Sequence, residues 1–296
     1  MKKTSLVVNF LLITIVLSQG LFADPIQVLT TPEVIVHYAK ESSMGAKAVE
    51  ELFPVLHRDL QERLGGALRE RPTIVLMNDS EAFRAYVGSD VIVAVALPQR
   101  QRIIIDYPRA LRHPFSLASI LKHELCHLMI NTGRGGVAIP KWLDEGIAQW
   151  VSDGMAEIVM ADAPSAFDEA VLARRTIPLR SLNHAFPSDR KHLMLAYEES
   201  RSVVEHIVEE YGEKCIQGLL GDLREGQSID EALRRNVGLS LGSLEQAWLD
   251  STRKQIGWHS YLINNMYDIL FVVGALIMVA GFIRFWRKRK RYRDMD

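Results

Sequence analysis

His123-Glu124-Leu125-Cys126-His127 sits inside an otherwise apolar run from Phe115 to Ile130 that also carries Leu117, Ile120, Leu121, Leu128 and Met129. Apolar residues at this spacing predict a helix, and one so greasy is a central helix that presents its few polar groups into a cleft. Two histidines four residues apart share a face, because four residues make little more than one turn. Their imidazoles can therefore hold one metal ion together. Glu124 is turned by about 100° around the helix axis from His123, close enough to reach a water on that ion without ligating it. Zn²⁺ suits two neutral imidazoles and a carboxylate while keeping a fourth position for water. The ion lowers the water's pKa and polarises a carbonyl. Glu124 is then the candidate general base, taking the proton and returning it to the leaving group. Cys126 falls on the apolar side and is read as packing.

A zinc of this kind needs a third protein ligand. Pro140-Lys-Trp-Leu-Asp-Glu-Gly-Ile-Ala-Gln-Trp150 predicts a second helix, with Pro140 near its start. Asp144 and Glu145 both qualify, and one of them is then a solvated surface carboxylate. The break Thr132-Gly-Arg-Gly-Gly136 lets the second helix fold back on the first. As a phosphate cradle that loop fails, since it follows no strand and lacks the Gly-Lys-Ser/Thr ending.

Upstream, Val34 to Tyr38, Thr73 to Met77, Val91 to Leu97 and Arg102 to Asp106 read as strands, the last two joined through Pro98–Gln101. Residues 43 to 64 place Ala46, Val49, Leu52, Phe53, Leu56, Leu60 and Leu64 at helical spacing, ending at Gly65-Gly66. Ser80 to Val87 predicts a brief helix closed by Gly88. Strands come first and helices second, which is the α+β pattern.

His123-Glu-x-x-His127 followed by Pro-x-Trp-Leu-Asp-Glu145-Gly-Ile-Ala resembles the gluzincin clan of zinc metallopeptidases, in particular the peptidase MA-like group. Downstream, Ala196-Tyr197-Glu-Glu-Ser200, Tyr211-Gly212, Asp230-Glu-Ala-Leu233 and Trp248 extend the likeness, which covers roughly residues 70 to 250. The resemblance implies an α+β, zincin-like fold with a small N-terminal mixed sheet, an active-site helix and a helical C-terminal half. It implies Glu145 as the third zinc ligand. It also implies a tyrosine or histidine donor for the oxyanion, for which Tyr197 is the choice and His184 and His192 the rivals. Thermolysin-like members place an acid four residues past the third ligand to orient a zinc histidine. This chain has Gln149 there, leaving Asp153 or a backbone carbonyl as candidates. Arg102–Asp106 is expected, by the same likeness, to be the edge strand along which a peptide pairs through Ile103, Ile104 and Ile105. An interior strand is the other reading.

The two ends of the chain bear on placement. Lys2-Lys3, the apolar run Leu6–Leu17, and small residues around Gly20 and Ala23 read as a secretory signal peptide over residues 1–23. Ile269 to Ile283 is free of charge, and Met266, Tyr267, Phe285 and Trp286 extend it to a length that spans a bilayer, with aromatic rings at both ends. Seven basic residues crowd the last 13 positions. Positive charge stays on the cytoplasmic side, so residues 266–286 are expected to cross the membrane. The tail 287–296 is then inside and the body, residues 24–257, outside. Positions 24 to 283 hold 26 basic and 34 acidic residues, although the whole chain nets only −1. An acidic body argues against nucleic acid as a partner. Two cysteines in 296 residues are too few for a stapled fold.

The expectation is therefore a membrane-anchored zinc metallopeptidase with a peptide or protein substrate. The competing class is a non-catalytic module on the same fold. An intramembrane protease is excluded by the charged setting of the motif, which carries Arg112 and Lys122 far from the late apolar span.

Overall fold

The computed structural model describes residues 25–112, 115–131, 139–153 and 166–264, together with scattered positions between 271 and 284. The expected signal peptide and basic tail lie outside the described residues, as does most of the expected span 266–286. Among the described residues, no helix is long and apolar enough to cross a membrane.

Five strands form one mixed sheet: β1 Gln27–Thr30, β2 Ile35–Tyr38, β3 Thr73–Met77, β4 Ala94–Leu97 and β5 Arg102–Asp106. Their order is β1-β2-β3-β5-β4. β2, β3 and β5 run parallel, while β1 and β4 pair antiparallel at the two edges. Helix α1, Ser43–Leu64, crosses from β2 to β3. Its residues Ala46, Val49, Phe53, Leu60 and Leu64 are fully buried, as the helical periodicity requires. Complete burial of a leucine or phenylalanine contributes about 1.5–3 kcal/mol each. Asp79 caps α2, Ser80–Val87, and Gly88 ends it at φ 73°, a conformation that glycine adopts without Cβ strain.

β5 is an interior strand, which corrects the expected edge position of Ile103, Ile104 and Ile105. Both of its sides are occupied, by β3 and by β4. The physical reason is visible in the side chains. Ile103 and Ile105 enter the main core with Ile74 and Leu76, whereas Ile104 joins Val75, Met77 and Phe83 on the opposite face. A strand apolar on both faces belongs inside a sheet. The edge beside it is β4.

The short helix α3, Tyr107–Ala110, leads to α4, Leu117–Ile130, and then α5, Lys141–Val151. The remaining longer elements among the described residues are helices: α6 Ala166–Leu172, α7 Arg190–Tyr211, α8 Lys214–Arg224, α9 Ile229–Asn236 and α10 Leu241–Asn264. α4 packs on β4, α1 and α5, while α5 packs on α7. The last contact depends on Gly146, where a Cβ would stand 2.3 Å from the Ser200 carbonyl oxygen. Fold class is thus α+β, with a small mixed sheet and a helical majority. Cys126 and Cys215 are both buried free thiols, and burial pushes the Cys215 thiol up to about 11.

Candidate metal centre

Ser116 opens α4 by accepting a hydrogen bond from the Ser119 amide. The helix then carries His123, Glu124 and His127 inward, all buried. α5 brings Glu145 to them. The Nε2 atoms of His123 and His127 lie 3.1 Å apart, and Glu145 Oε2 is 3.7 and 3.5 Å from them. These three residues are the one His/Cys/Asp/Glu group among the described residues able to share a metal ion.

Proton placement around the imidazoles follows from their other nitrogens. His127 Nδ1 is 2.9 Å from Asp144 Oδ1, an acceptor, so it carries its proton there. Ser152 Oγ donates to the Ala148 carbonyl at 2.7 Å, leaving a lone pair toward His123 Nδ1 at 3.4 Å. Both rings therefore turn a basic Nε2 inward. Glu145 Oε1 accepts from Lys141 Nζ at 2.6 Å, while buried Oε2 makes no hydrogen bond. Three electron-pair donors converge, and a cation is what their chemistry demands. A tetrahedral zinc with bonds of roughly 2.0–2.2 Å places its ligand atoms about 3.3–3.5 Å apart. The observed triangle fits it.

Electrostatics point the same way. Burial pushes the Glu145 carboxyl up, but His127, His123 and Lys141 outweigh it and hold the group well below the usual carboxylate range. Burial also pushes His127 down, and Asp144 and Glu145 overcome this to lift it well above an ordinary imidazole. The pocket is built to attract positive charge.

Asp144, which the sequence left as either the third ligand or a solvated surface carboxylate, is neither. It grips His127 and is itself held by Asn131 Nδ2, which donates to both carboxylate oxygens at 3.1 Å. Asp153, one of the two expected candidates beside a backbone carbonyl, is exposed beyond the end of α5 at φ 59°. Gln149 has another task, donating from Nε2 to the Tyr197 carbonyl at 3.0 Å and tying α5 to α7. Tyr197 is buried, its ring edge-on to Phe186 with centroids 5.0 Å apart. Lys141 Nζ lies 5.3 Å from the Phe186 centroid, so a chain of contacts runs from Tyr197 back to Glu145. His184 and His192 are both exposed, and His192 pairs with Asp189 at 2.8 Å. Ile103, Ile104 and Ile105 are buried in the sheet and take no part.

Residues 65–254 match the family model described as Peptidase MA superfamily. The chain belongs to the Peptidase MA superfamily. Among solved structures, this superfamily member is similar to the M1 zinc metallopeptidase from Deinococcus radiodurans, at 15% identity and a TM-score of 0.48 over 76% of this chain and 51% of that one. It is also similar to yeast LTA4 hydrolase, at 11% identity and a TM-score of 0.44 over 78% of this chain and 37% of the other. The chain thus spans about half the length of the Deinococcus structure. Among curated proteins, no sequence matches it.

Proposed function

We propose that the protein is a membrane-anchored zinc metallopeptidase that hydrolyses peptide bonds. The observation that carries this reading is the buried triangle of His123 Nε2, His127 Nε2 and Glu145 Oε2, with edges of 3.1 to 3.7 Å. His123, His127 and Glu145 are the residues that would hold the ion. Zinc bound there supplies Lewis acidity, polarising a carbonyl and making water a nucleophile at neutral pH.

The chain's own residues do the rest. Glu124, buried one residue from His123, takes up a proton and returns it to the leaving nitrogen. Lys141 holds Oε1 of Glu145, which keeps Oε2 turned to the imidazoles. Asp144 and Ser152 orient the two rings. Tyr197, on α7, offers its hydroxyl to the charge that grows on the carbonyl oxygen. An extended peptide pairs with the edge strand β4, against which α4 is packed.

Membrane anchoring is proposed from the late apolar segment. Phe271, Leu276, Ile277, Met278, Val279 and Phe282 are helical and each more than half exposed. A cluster of that kind suits lipid far better than water.

The test is metal analysis of the purified full chain beside three variants. One zinc per chain is expected, retained in Glu124→Gln with loss of peptide hydrolysis and lost in Glu145→Ala. Full zinc in Glu145→Ala, with loss in Asp144→Ala instead, would reassign the third ligand. Undiminished hydrolysis in Glu124→Gln would sink the mechanism.

A further inference from the structure

A cavity of about 690 Å³ opens between the chain entering β4 and the first turn of α7. Val91 lies three residues before β4 begins, about 10 Å at strand spacing. Leu193, on the facing wall, is one helical turn ahead of Tyr197. The cavity therefore lies between the approach to β4 and the helix that carries Tyr197, and its volume suits a short peptide end.

Its polar lining is unusual for a body with excess acid. Arg84 and Arg190 face the cavity with the hydroxyls of Ser89 and Ser188. Among the described residues Arg190 has no ion-pair partner, and Arg84 has only Glu81, 3.9 Å away on an exposed side chain. An exposed pair of that length holds the guanidinium weakly. Asp90 also lines the cavity and offsets one of the two positive charges. Its backbone is fixed by Arg109, which donates to the Asp90 carbonyl at 2.8 Å.

We propose that this cavity takes a carboxylate of the substrate, with Arg84 and Arg190 as the specificity-determining residues. Planar guanidinium forks and hydroxyls are the donor types that recognise carboxylate oxygens. The proposal rests on the peptidase reading above and gives it a substrate class. Because the cations stand at the start of β4, a peptide paired with β4 places its carboxyl end there and runs antiparallel to the strand. Val91 in the cavity wall is only three residues of extended chain, about 10 Å, from the first residue of β4. The enzyme removes short pieces from the C-terminal ends of peptides.

The test separates the terminal carboxylate from an acidic side chain. Full chain carrying Glu124→Gln, loaded with zinc, is titrated against fluorescein-labelled randomised decapeptides and read by anisotropy. One pool ends in a free acid, a second in an amide, a third in an aspartyl amide. The free-acid pool is expected to bind roughly 10–100-fold tighter than the plain amide, the worth of a charge-assisted hydrogen-bonded pair. The joint variant Arg84→Gln/Arg190→Gln should bring that ratio close to one, and Arg69→Gln, an exposed arginine elsewhere, should leave it intact. Tight binding of the aspartyl amide would name a side-chain carboxylate as the source, and weak binding would name the terminus. Equal affinity for all three pools, or a ratio untouched by the joint variant, would overturn the proposal. The wild-type chain supplies the separate check, since failure to cleave any pool counts against the peptidase reading while the binding ratio still judges the cavity.

Discussion

His127 Nδ1 meets Asp144 Oδ1 at 2.9 Å, and Asp144 is the chain neighbour of Glu145. Two consecutive carboxylates thus reach opposite nitrogens of one imidazole. Neighbours on a helix diverge by about 100°, so both can do this only because α5 crosses α4 at His127. Asp144 sets the tautomer that leaves Nε2 basic, and Asn131 fixes Asp144 in turn.

The first prediction follows from that contact. Asp144→Ala should weaken zinc binding about 10–100-fold, the usual loss when the partner of a ligating histidine is removed. Competition with a chromophoric chelator measures it. Unchanged affinity would show that the contact has no part in orienting the ring.

Tyr197→Phe keeps the ring against Phe186 and the backbone carbonyl that receives Gln149, removing only the hydroxyl. As an oxyanion donor Tyr197 should cost about 10²-fold or more in kcat when so changed, with zinc content and melting temperature held. Unaltered turnover would leave Tyr197 a packing residue.

Gly146 and Gly221 make a contrasting pair. At Gly146 a methyl group would meet the Ser200 carbonyl at 2.3 Å, whereas at Gly221, inside α8, nothing lies within 4 Å. Gly146→Ala should destabilise by about 2 kcal/mol or more, because the backbone of α7 must retreat. Gly221→Ala should stabilise by about 0.5–1 kcal/mol through helix propensity. Denaturant midpoints of both variants check the signs.

Glu199 is fully buried on α7 and accepts from the Ile177 amide at 3.0 Å. Burial raises its pKa to about 8, with Glu245 and Glu198 adding repulsion against the amide's opposing pull. The folded state therefore keeps a proton that the unfolded chain releases near 4.5. Stability should fall as pH rises through the window from about 4.5 to 8. Glu199→Gln, which keeps the acceptor oxygen, should flatten this slope and melt higher than wild type at pH 8 while differing little at pH 4. Parallel melting curves at both pH values would refute the assignment.

Placement gives the last prediction. A reporter active only in the cytoplasm, fused after Asp296, should work, and protease added to spheroplasts should trim the body. Protection of the body from that protease would reverse the topology.

Helices and strands with strong periodicity were legible in the residues alone. The α1 span 43–64 and the β3 span 73–77 coincide with the structure to the residue, since both are decided by which positions must be apolar. β1 escaped notice because Gln27–Thr30 is largely exposed and carries no buried alternation. The β5 misplacement arose from likeness to other zincins, although Ile103-Ile104-Ile105 already lacks the polar face of a strand half-open to water.

What the sequence determined by itself is local: His123 and His127 share a face because of helical pitch, and Glu145 follows on a second helix that starts after Pro140. What only the tertiary structure decided is how separate elements cross. Whether Asp144, Gln149 or Asp153 orients a histidine depends on the angle between α4 and α5, and whether β4 or β5 presents a free edge depends on strand order. Both are set by burial of apolar surface between residues far apart in the chain, which local spacing does not encode.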